Sequence, residues 1–574
     1  MNIDVFLRPH QKYVLDKIAK EIDNYKYFFI NMSTGGGKTL TSLLILKMIR
    51  EQVLTKCLIA TRTKNEFTPY FRDNKKFNLQ LRCSGLVGKE EACAEDVLRE
   101  ILKSVEESNP CKSCPMRDRT APINQIFDTI YENESLIPIL QRKDICPYYS
   151  LRESFPFSDC FCVTYPYIFT HRYKVLLKSL EYLAESNTPY KLMLVIDEAH
   201  NIDNVTELYE RRLNVKNVET VLEMAKRNEL FAHEDELLML KKFLENVKSN
   251  DMKLVRKQDI PRININGLIA YLEETRDITT LYMERNKLKA VSQIVRFYEF
   301  LDDPDFEVFT YEHGVILKLI LPTRLIQYFT NEYNICVLMS GTLPPEDYIQ
   351  RIWGIEGLYI DVTKEFKLYR EQKQAYLISN VTTKYQYREK NYPKYAEIVR
   401  NFCMKDPNVK LIVYPSYEVM KRILSILDPL CLEKSIVEDV YTKIENVKRE
   451  VEKGKVNIHC VAGGKLTEGI ELVDEEGRSM IKSVVLIGVP YPDVNDYMNV
   501  KSRKVAELLG NEQDVFRYCY HIPAVLLSKQ AIGRAIRSEH DVCRVYLCDY
   551  RFRYMIDELD VTVKSQVVLK LGQK

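Results

Sequence analysis

The chain has almost no net charge: 83 Lys and Arg against 81 Asp and Glu leave +2 over 574 residues. That balance excludes a uniformly basic nucleic-acid-binding surface, so any basic track has to be local. There is no run of about 18 apolar residues, the length that a membrane-crossing helix needs. The opening segment, MNIDVFLRPHQKYV, has Asp4 and Arg8 early and no apolar stretch before a small-residue cleavage site, so it does not read as a secretory signal. Internal repeats and low-complexity tracts are also missing. A soluble, cytoplasmic chain is expected, 46% hydrophobic and 29% charged, and too long for a single core. Three or four domains follow from its length.

Cysteine is not scarce. The 15 cysteines are an odd number in a large chain, which argues against a disulfide framework of the small secreted kind and makes metal binding the first expectation.

Continuous apolar runs suit parallel strands covered on both faces. One set is Tyr27–Asn31, Lys56–Thr63, Leu192–Asp197 and Ile335–Ser340; the second is Lys410–Tyr414, Val456–Ala462, Val484–Val489 and Arg544–Asp549. Two α/β domains are expected from the two sets. Two segments interrupt the first. Residues 85–157 hold four spaced cysteines and no clear strand. Residues 202–331 are mostly helical in pattern, as over Glu234 to Val247, where Leu237, Leu240, Phe243, Leu244 and Val247 recur at three- and four-residue steps.

After Tyr27–Asn31 comes Met32-Ser33-Thr34-Gly35-Gly36-Gly37-Lys38-Thr39, then an apolar helical run. Gly35, Gly36 and Gly37 let backbone N–H groups converge on a phosphate chain, and the helix N-terminus adds its dipole. Lys38 can reach the outer phosphates and the Thr39 hydroxyl can ligate magnesium. Met32 stands where such loops usually begin with glycine. The run Leu194-Val195-Ile196-Asp197-Glu198-Ala199-His200 ends a strand in two acids. Asp197 can serve the magnesium, and Glu198 can orient and deprotonate the attacking water. Alone, each piece has a plain structural explanation: a glycine-rich turn capping a helix, or acids placed at a helix start.

Cys93, Cys111, Cys114 and Cys146 are separated by seventeen, two and thirty-one residues. A zinc ribbon normally shows two close pairs, and only one is present. An iron–sulfur cluster on four thiolates tolerates this spacing better. Zinc stays an alternative, as does a site that has lost its metal. Cys83, Cys160 and Cys162 are read as small buried hydrophobes.

The motifs together resemble helicases of superfamily two. Ser340-Gly341-Thr342 resembles their third motif, and Gly463-Gly464-Lys465 to Glu468-Gly469-Ile470-Glu471 their fifth. Gln530-Ala531-Ile532-Gly533-Arg534-Ala535-Ile536-Arg537 resembles their sixth, in which Arg534 and Arg537 would sit one helical turn apart and face the phosphoryl group. Arg8-Pro9-His10-Gln11 stands where these enzymes carry an adenine-side element. The flanks Gly88-Lys89-Glu90-Glu91-Ala92-Cys93 and Cys146-Pro147-Tyr148-Tyr149, with Thr164-Tyr165-Pro166-Tyr167 and Gly488-Val489-Pro490-Tyr491-Pro492, resemble the archaeal XPD family, relatives of bacterial DinG.

That resemblance implies two RecA-like motor domains with an iron–sulfur insertion and a mainly helical arch insertion in the first. It implies these bounds: 1–84, 158–201 and 332–355 for the first motor; 85–157 for a cluster domain; 202–331 for an arch; 356–574 for the second motor. The implied activity is ATP-dependent 5′ to 3′ DNA unwinding by a monomer, acting in repair on single strands and junctions. Expected cofactors are a 4Fe–4S cluster on Cys93, Cys111, Cys114 and Cys146, and Mg²⁺ on Thr39 and Asp197. ATP is expected on Gln11, Thr34 to Thr39 and Gln530. The family resemblance places the cluster domain as a strand-separating wedge, and the short C-terminus favours an archaeal repair enzyme over a transcription-factor subunit. Two other readings share these motifs: a DNA-dependent ATPase or clamp that remodels protein–DNA complexes without unwinding, and a binding module with decayed motor parts.

Overall fold

In the computed structural model of the chain, the described residues are 7–93, 144–185, 188–274 and 282–567, with 99, 111, 114–122, 124, 126, 137, 140 and 141 between them. Two seven-stranded sheets organise them. The first runs Leu358–Asp361, Tyr27–Asn31, Ile335–Ser340, Tyr190–Ile196, Leu54–Thr61, Cys160–Thr164, Cys83–Leu86. The second runs Ser435–Val437, Asn457–Val461, Lys410–Tyr414, Ser483–Ile487, Cys543–Cys548, Lys373–Ile378, Thr562–Val567. Every pairing in both is parallel. All eight expected strands are present, shifted by a residue or two at most. Their apolar runs are buried almost without alternation, as helices on both faces require.

Among the described residues, six strands of these two sheets lie outside the expected set. One changes where the chain passes between sheets. Leu358–Asp361 pairs with Tyr27–Asn31, so the crossover falls between Asp361 and Lys373 and not at residue 356. A second departure concerns the helix Asp496–Leu509. It follows a strand of the second sheet, yet its Met498 and Val505, and Tyr518, Cys519 and Ile522 beyond it, are buried in the core of the first. Arg517 and Tyr518 donate to Asp347 at 3.1 Å, tying the same segment to the first sheet's side.

Residues 211–319 include helices as expected, and Glu234–Val247 is one of them. Three acids in its first turn face the positive end of the helix dipole. They also include a four-stranded antiparallel sheet that the helical pattern did not reveal: Arg211–Asn214, Gly314–Leu319, Phe306–Tyr311 and Leu254–Val255. The two long strands pair antiparallel across a Glu312–His313 turn, with Gly314 at φ 153°. The insertions touch, since Cys93 and Cys114 of one pack on Leu288 of the other. No helix among the described residues is long and apolar enough to cross a membrane.

Candidate nucleotide site and cysteine centre

The strand Ile335–Ser340 lies between the strands that end in the glycine loop and in the two acids. This order brings the three motifs together. The loop turns through Gly35 (φ 78°) and Gly37 (φ 84°) into the helix Lys38–Arg50, and left-handed backbone at these two positions suits glycine alone. Behind it, the Gln11 amide donates to the Gly37 carbonyl (3.2 Å) and the Thr41 hydroxyl (3.4 Å). His10 pairs with the Gly36 carbonyl at 2.7 Å, and Arg8 donates to that of Gly35. The segment Arg8–Gln11 therefore braces the loop.

Lys38 is buried, with its ammonium 3.3 Å from Glu198 Oε1. Glu198 has φ 49°, ψ 46°, an uncommon left-handed conformation for a side-chain-bearing residue. Tyr165 holds that turn by donating to the carbonyls of Asp197 (2.6 Å) and Glu198 (3.0 Å). Tyr70 donates to Asp197 Oδ2 at 2.8 Å, and the Glu198 amide to Oδ1 at 2.9 Å. The sequence assigns neither tyrosine to the nucleotide site, although Tyr165 belongs to the Thr164–Tyr167 segment; the order of the parallel strands brings both to the acids. The two acids diverge. Burial and then the Glu198 charge raise Asp197 above the usual carboxylate range. Burial would raise Glu198 too, but Lys38, with His200 and Arg534, holds it well below that range. Ser340 joins the third motif to this pair: its hydroxyl donates to Glu198 Oε2 at 3.3 Å and pairs with His200 at 2.6 Å.

The second sheet supplies the opposite wall. The helix Ile522–Gly533 ends before Arg534, so the two arginines do not share a helical face as expected. A turn brings them together instead, capped by Asp541, which accepts from the Arg537 and Ser538 amides at 2.8 and 2.7 Å. Arg534 Nε donates to the Thr467 carbonyl (2.7 Å), and an Arg537 terminal nitrogen donates to that of Ile470 (2.9 Å). Both guanidinium groups are thereby fixed against the fifth motif. Burial lowers both, Arg537 to about 10, with Arg534's charge as its second cause. One pocket between the sheets is lined by Thr34, Glu198, Gly341, Gln530, Arg534 and Arg537, among others. In it, Gln530 Oε1 and Arg537 Nε are buried without a hydrogen-bond partner among the described residues. Such groups are costly unless a ligand completes them. Thr39 stands half-buried at the helix start. Asp197 has no ion pair among the described residues, and a buried carboxylate in that condition suits a cation.

The four cysteines of the first insertion carry free thiols. Cys93 ends the short helix Lys89–Ala92, and Cys146 starts the helix Pro147–Glu153. Burial raises the Cys111 and Cys146 thiols, and Cys146 is raised further by the neighbouring Cys111 and Cys114. Among the described residues, no three Cys, His or acidic side chains gather closely enough to grip a single ion. Cations sit over aromatic rings beside this centre: Lys89 over Tyr148 at 5.4 Å, Arg152 and Arg117 over Tyr149 at 4.5 and 5.6 Å.

Two parallel sheets, a phosphate loop and paired acids on one, and two arginines from the other facing them, define a motor of helicase superfamily two. Family models agree: Helicase C-terminal domain matches residues 399–558, DEAD_2 residues 57–218, and Type III restriction enzyme, res subunit, residues 4–109. The ATP-dependent DNA helicase XPD of Sulfolobus acidocaldarius is 33% identical over 95% of this chain and 96% of its own length. A solved XPD helicase superposes with a TM-score of 0.76 at 30% identity, covering 98% of this chain and all of the other. The ATP-dependent DNA helicase CHL1 of Kluyveromyces lactis is 23% identical over 80% of this chain and 63% of its own. The chain belongs to the XPD helicase family.

Proposed function

We propose that the protein is an ATP-driven DNA helicase that moves 5′ to 3′ along a single strand and separates duplexes at its first insertion. The observation that carries this reading is the facing of Glu198, itself paired with Lys38 at 3.3 Å, by Arg534 and Arg537 across one pocket. Gly35, Gly36 and Gly37 with Thr34 would cradle the phosphates, and Lys38 would leave Glu198 for the outer ones. Glu198, kept ionised, orients and deprotonates the attacking water. Arg534 and Arg537 meet the charge that develops on the transferred phosphoryl group. Thr39 and Asp197 would hold Mg²⁺, which supplies neutralising charge beside the phosphates.

Closure of the arginine wall on ATP and its release after hydrolysis would change the spacing of two grips on the strand. Lys89 and Arg152, half-buried over the rings of the buried Tyr148 and Tyr149, offer positive charge of the kind that tracks a single strand's phosphates. Cys93, Cys111, Cys114 and Cys146 would hold a 4Fe–4S cluster. The donor set fits: four free thiols, three of them within each other's electrostatic reach. A cluster binds its thiolates at separate irons, so a single-ion cage is not required. Bound there, it would supply folding energy to a segment with few apolar residues. ATP hydrolysis measured with and without single-stranded DNA tests the motor reading. Stimulation of about tenfold or more is expected, by the gating of closure; equal rates would contradict it.

A further inference from the structure

The first insertion leaves its sheet on one strand and returns on the neighbouring one. Cys83 opens the edge strand Cys83–Leu86, and Cys160 opens the adjoining Cys160–Thr164. The two are direct partners in the parallel ladder, although they stand 77 positions apart. Both are fully buried at 0% exposure, and their sulfurs face each other in contact at 2.7 Å. Adjacent strands lie about 4.8 Å apart, within the Cα separation of roughly 4.4–6.8 Å that a disulfide requires. Facing positions of a parallel pair also direct both side chains to the same side of the sheet.

Other thiols nearby do not compete. Cys57 is the partner of Cys160 on its other side, but its sulfur is turned to the Leu58 carbonyl at 3.8 Å. Cys162 stands opposite Ile59 and Gly85, neither of which carries sulfur. We infer that Cys83 and Cys160 are a disulfide-forming pair, a covalent staple across the root of the first insertion.

The step is thiol–disulfide exchange with a low-molecular-weight disulfide. One protein thiolate attacks a sulfur of the oxidant, giving a mixed disulfide and one small thiolate. The second protein thiolate then displaces the remaining small thiolate. The two protein S–H bonds are lost and one S–S bond forms. The oxidant's S–S bond is reduced, and its two thiolates take up the two protons. Burial, followed by the contact with Cys160, raises the Cys83 thiol well above its ordinary value. Reaction therefore waits for the strand to open, and Cys83–Leu86 is at the sheet edge with one neighbour only. Fraying from that edge admits the oxidant.

In the reduced protein the root is already held by charge. Arg82 and Arg50 pair with Asp159 at 3.0 and 2.9 Å, and Lys56 donates to the carbonyls of Pro156 and Ser158 at 2.6 and 2.9 Å. The staple adds a bond across the root, so opening of the edge strand Cys83–Leu86 cannot spread to the strand that leads to Tyr165.

The test uses the full chain as purified. It is incubated with oxidised glutathione, denatured in an alkylating agent, and digested without reductant. Mass spectrometry of the wild type is expected to show the Cys83 and Cys160 peptides joined, two hydrogens lighter than the separate pair, and parted by reduction. The oxidised-minus-reduced melting difference in the wild type should exceed that of Cys83→Ala or Cys160→Ala by about 5 °C, as closing a long loop implies. Recovery of both residues from oxidised wild type as alkylated thiols or glutathione adducts overturns the inference. So does a bridge from Cys160 to Cys57. The peptide map needs no variant, so the result stands even where a core substitution prevents folding.

Discussion

Arg537 presents its backbone carbonyl to Gly35 so closely that a Cβ on Gly35 would lie 2.4 Å from that oxygen. The phosphate loop of the first sheet and the arginine turn of the second are thus in direct contact. Gly35 serves both the left-handed turn and the approach of the opposite wall. Gly35→Ala meets a steric cost at φ 78° of roughly 1–2 kcal/mol and pushes the arginine turn away. ATP hydrolysis is expected to fall on the order of tenfold or more, with both sheets still folded by circular dichroism. Unchanged turnover would show that the two walls do not work in contact.

Lys38 and Glu198 hold each other at 3.3 Å, so ATP must draw the lysine away from the acid. Glu198→Gln removes that competitor together with the base. Hydrolysis should fall by about a hundredfold or more, while ATP affinity is retained or tightens. Lys38→Ala should lose hydrolysis and affinity together. Equal loss of both properties in Glu198→Gln would reassign the acids, with Asp197 as the base.

Arg534→Ala and Arg537→Ala should each lower kcat far more than they raise KM, by about a hundredfold in the rate. Steady-state kinetics check this. A raised KM at normal kcat would make them ground-state ligands. Because Arg534 and Arg537 bind the carbonyls of Thr467 and Ile470, either loss also loosens the fifth motif, and DNA stimulation should weaken with it.

The legible parts of this protein were those with strong local signals. Strands whose buried runs are aliphatic, such as Ile335–Ser340 and Lys410–Tyr414, announce themselves, and so do the glycine loop and the paired acids. Cys83–Leu86 and Leu358–Asp361 are four residues each, too short for periodicity to separate from loop. Tyr70 and Tyr165 reach Asp197 through strand order, which no local pattern encodes. The arginine turn was misread because Gln530 to Arg537 continues a helical pattern past Gly533. The helix stops at Gly533, and Asp541 holds the turn that follows by accepting from the Arg537 amide. Met498 and Val505 give the helix Asp496–Leu509 an apolar face, but nothing local says that its partner is the other sheet's core.

Cys114→Ser and Cys146→Ser should each abolish iron–sulfur absorbance in anaerobically purified protein, since serine is a much poorer ligand for iron than a thiolate. ATP hydrolysis on single-stranded DNA should persist, because none of the pocket's residues lies in the insertion. Strand separation should fall much further than hydrolysis. Zinc without iron in the wild type would contradict the cluster, and parallel loss of both activities would make the insertion part of the motor's own stability.

The central claim is that ATP turnover at Lys38, Glu198, Arg534 and Arg537 drives strand separation with a fixed direction. Its most direct test is a strand-displacement time course on matched duplexes with a 5′ or a 3′ single-stranded tail, with ATP hydrolysis recorded in the same reactions. The account predicts ATP-dependent displacement of the 5′-tailed duplex, little from the 3′-tailed one, and none of either by Glu198→Gln. DNA-stimulated hydrolysis with no displacement of either duplex would contradict it and identify a translocating clamp instead.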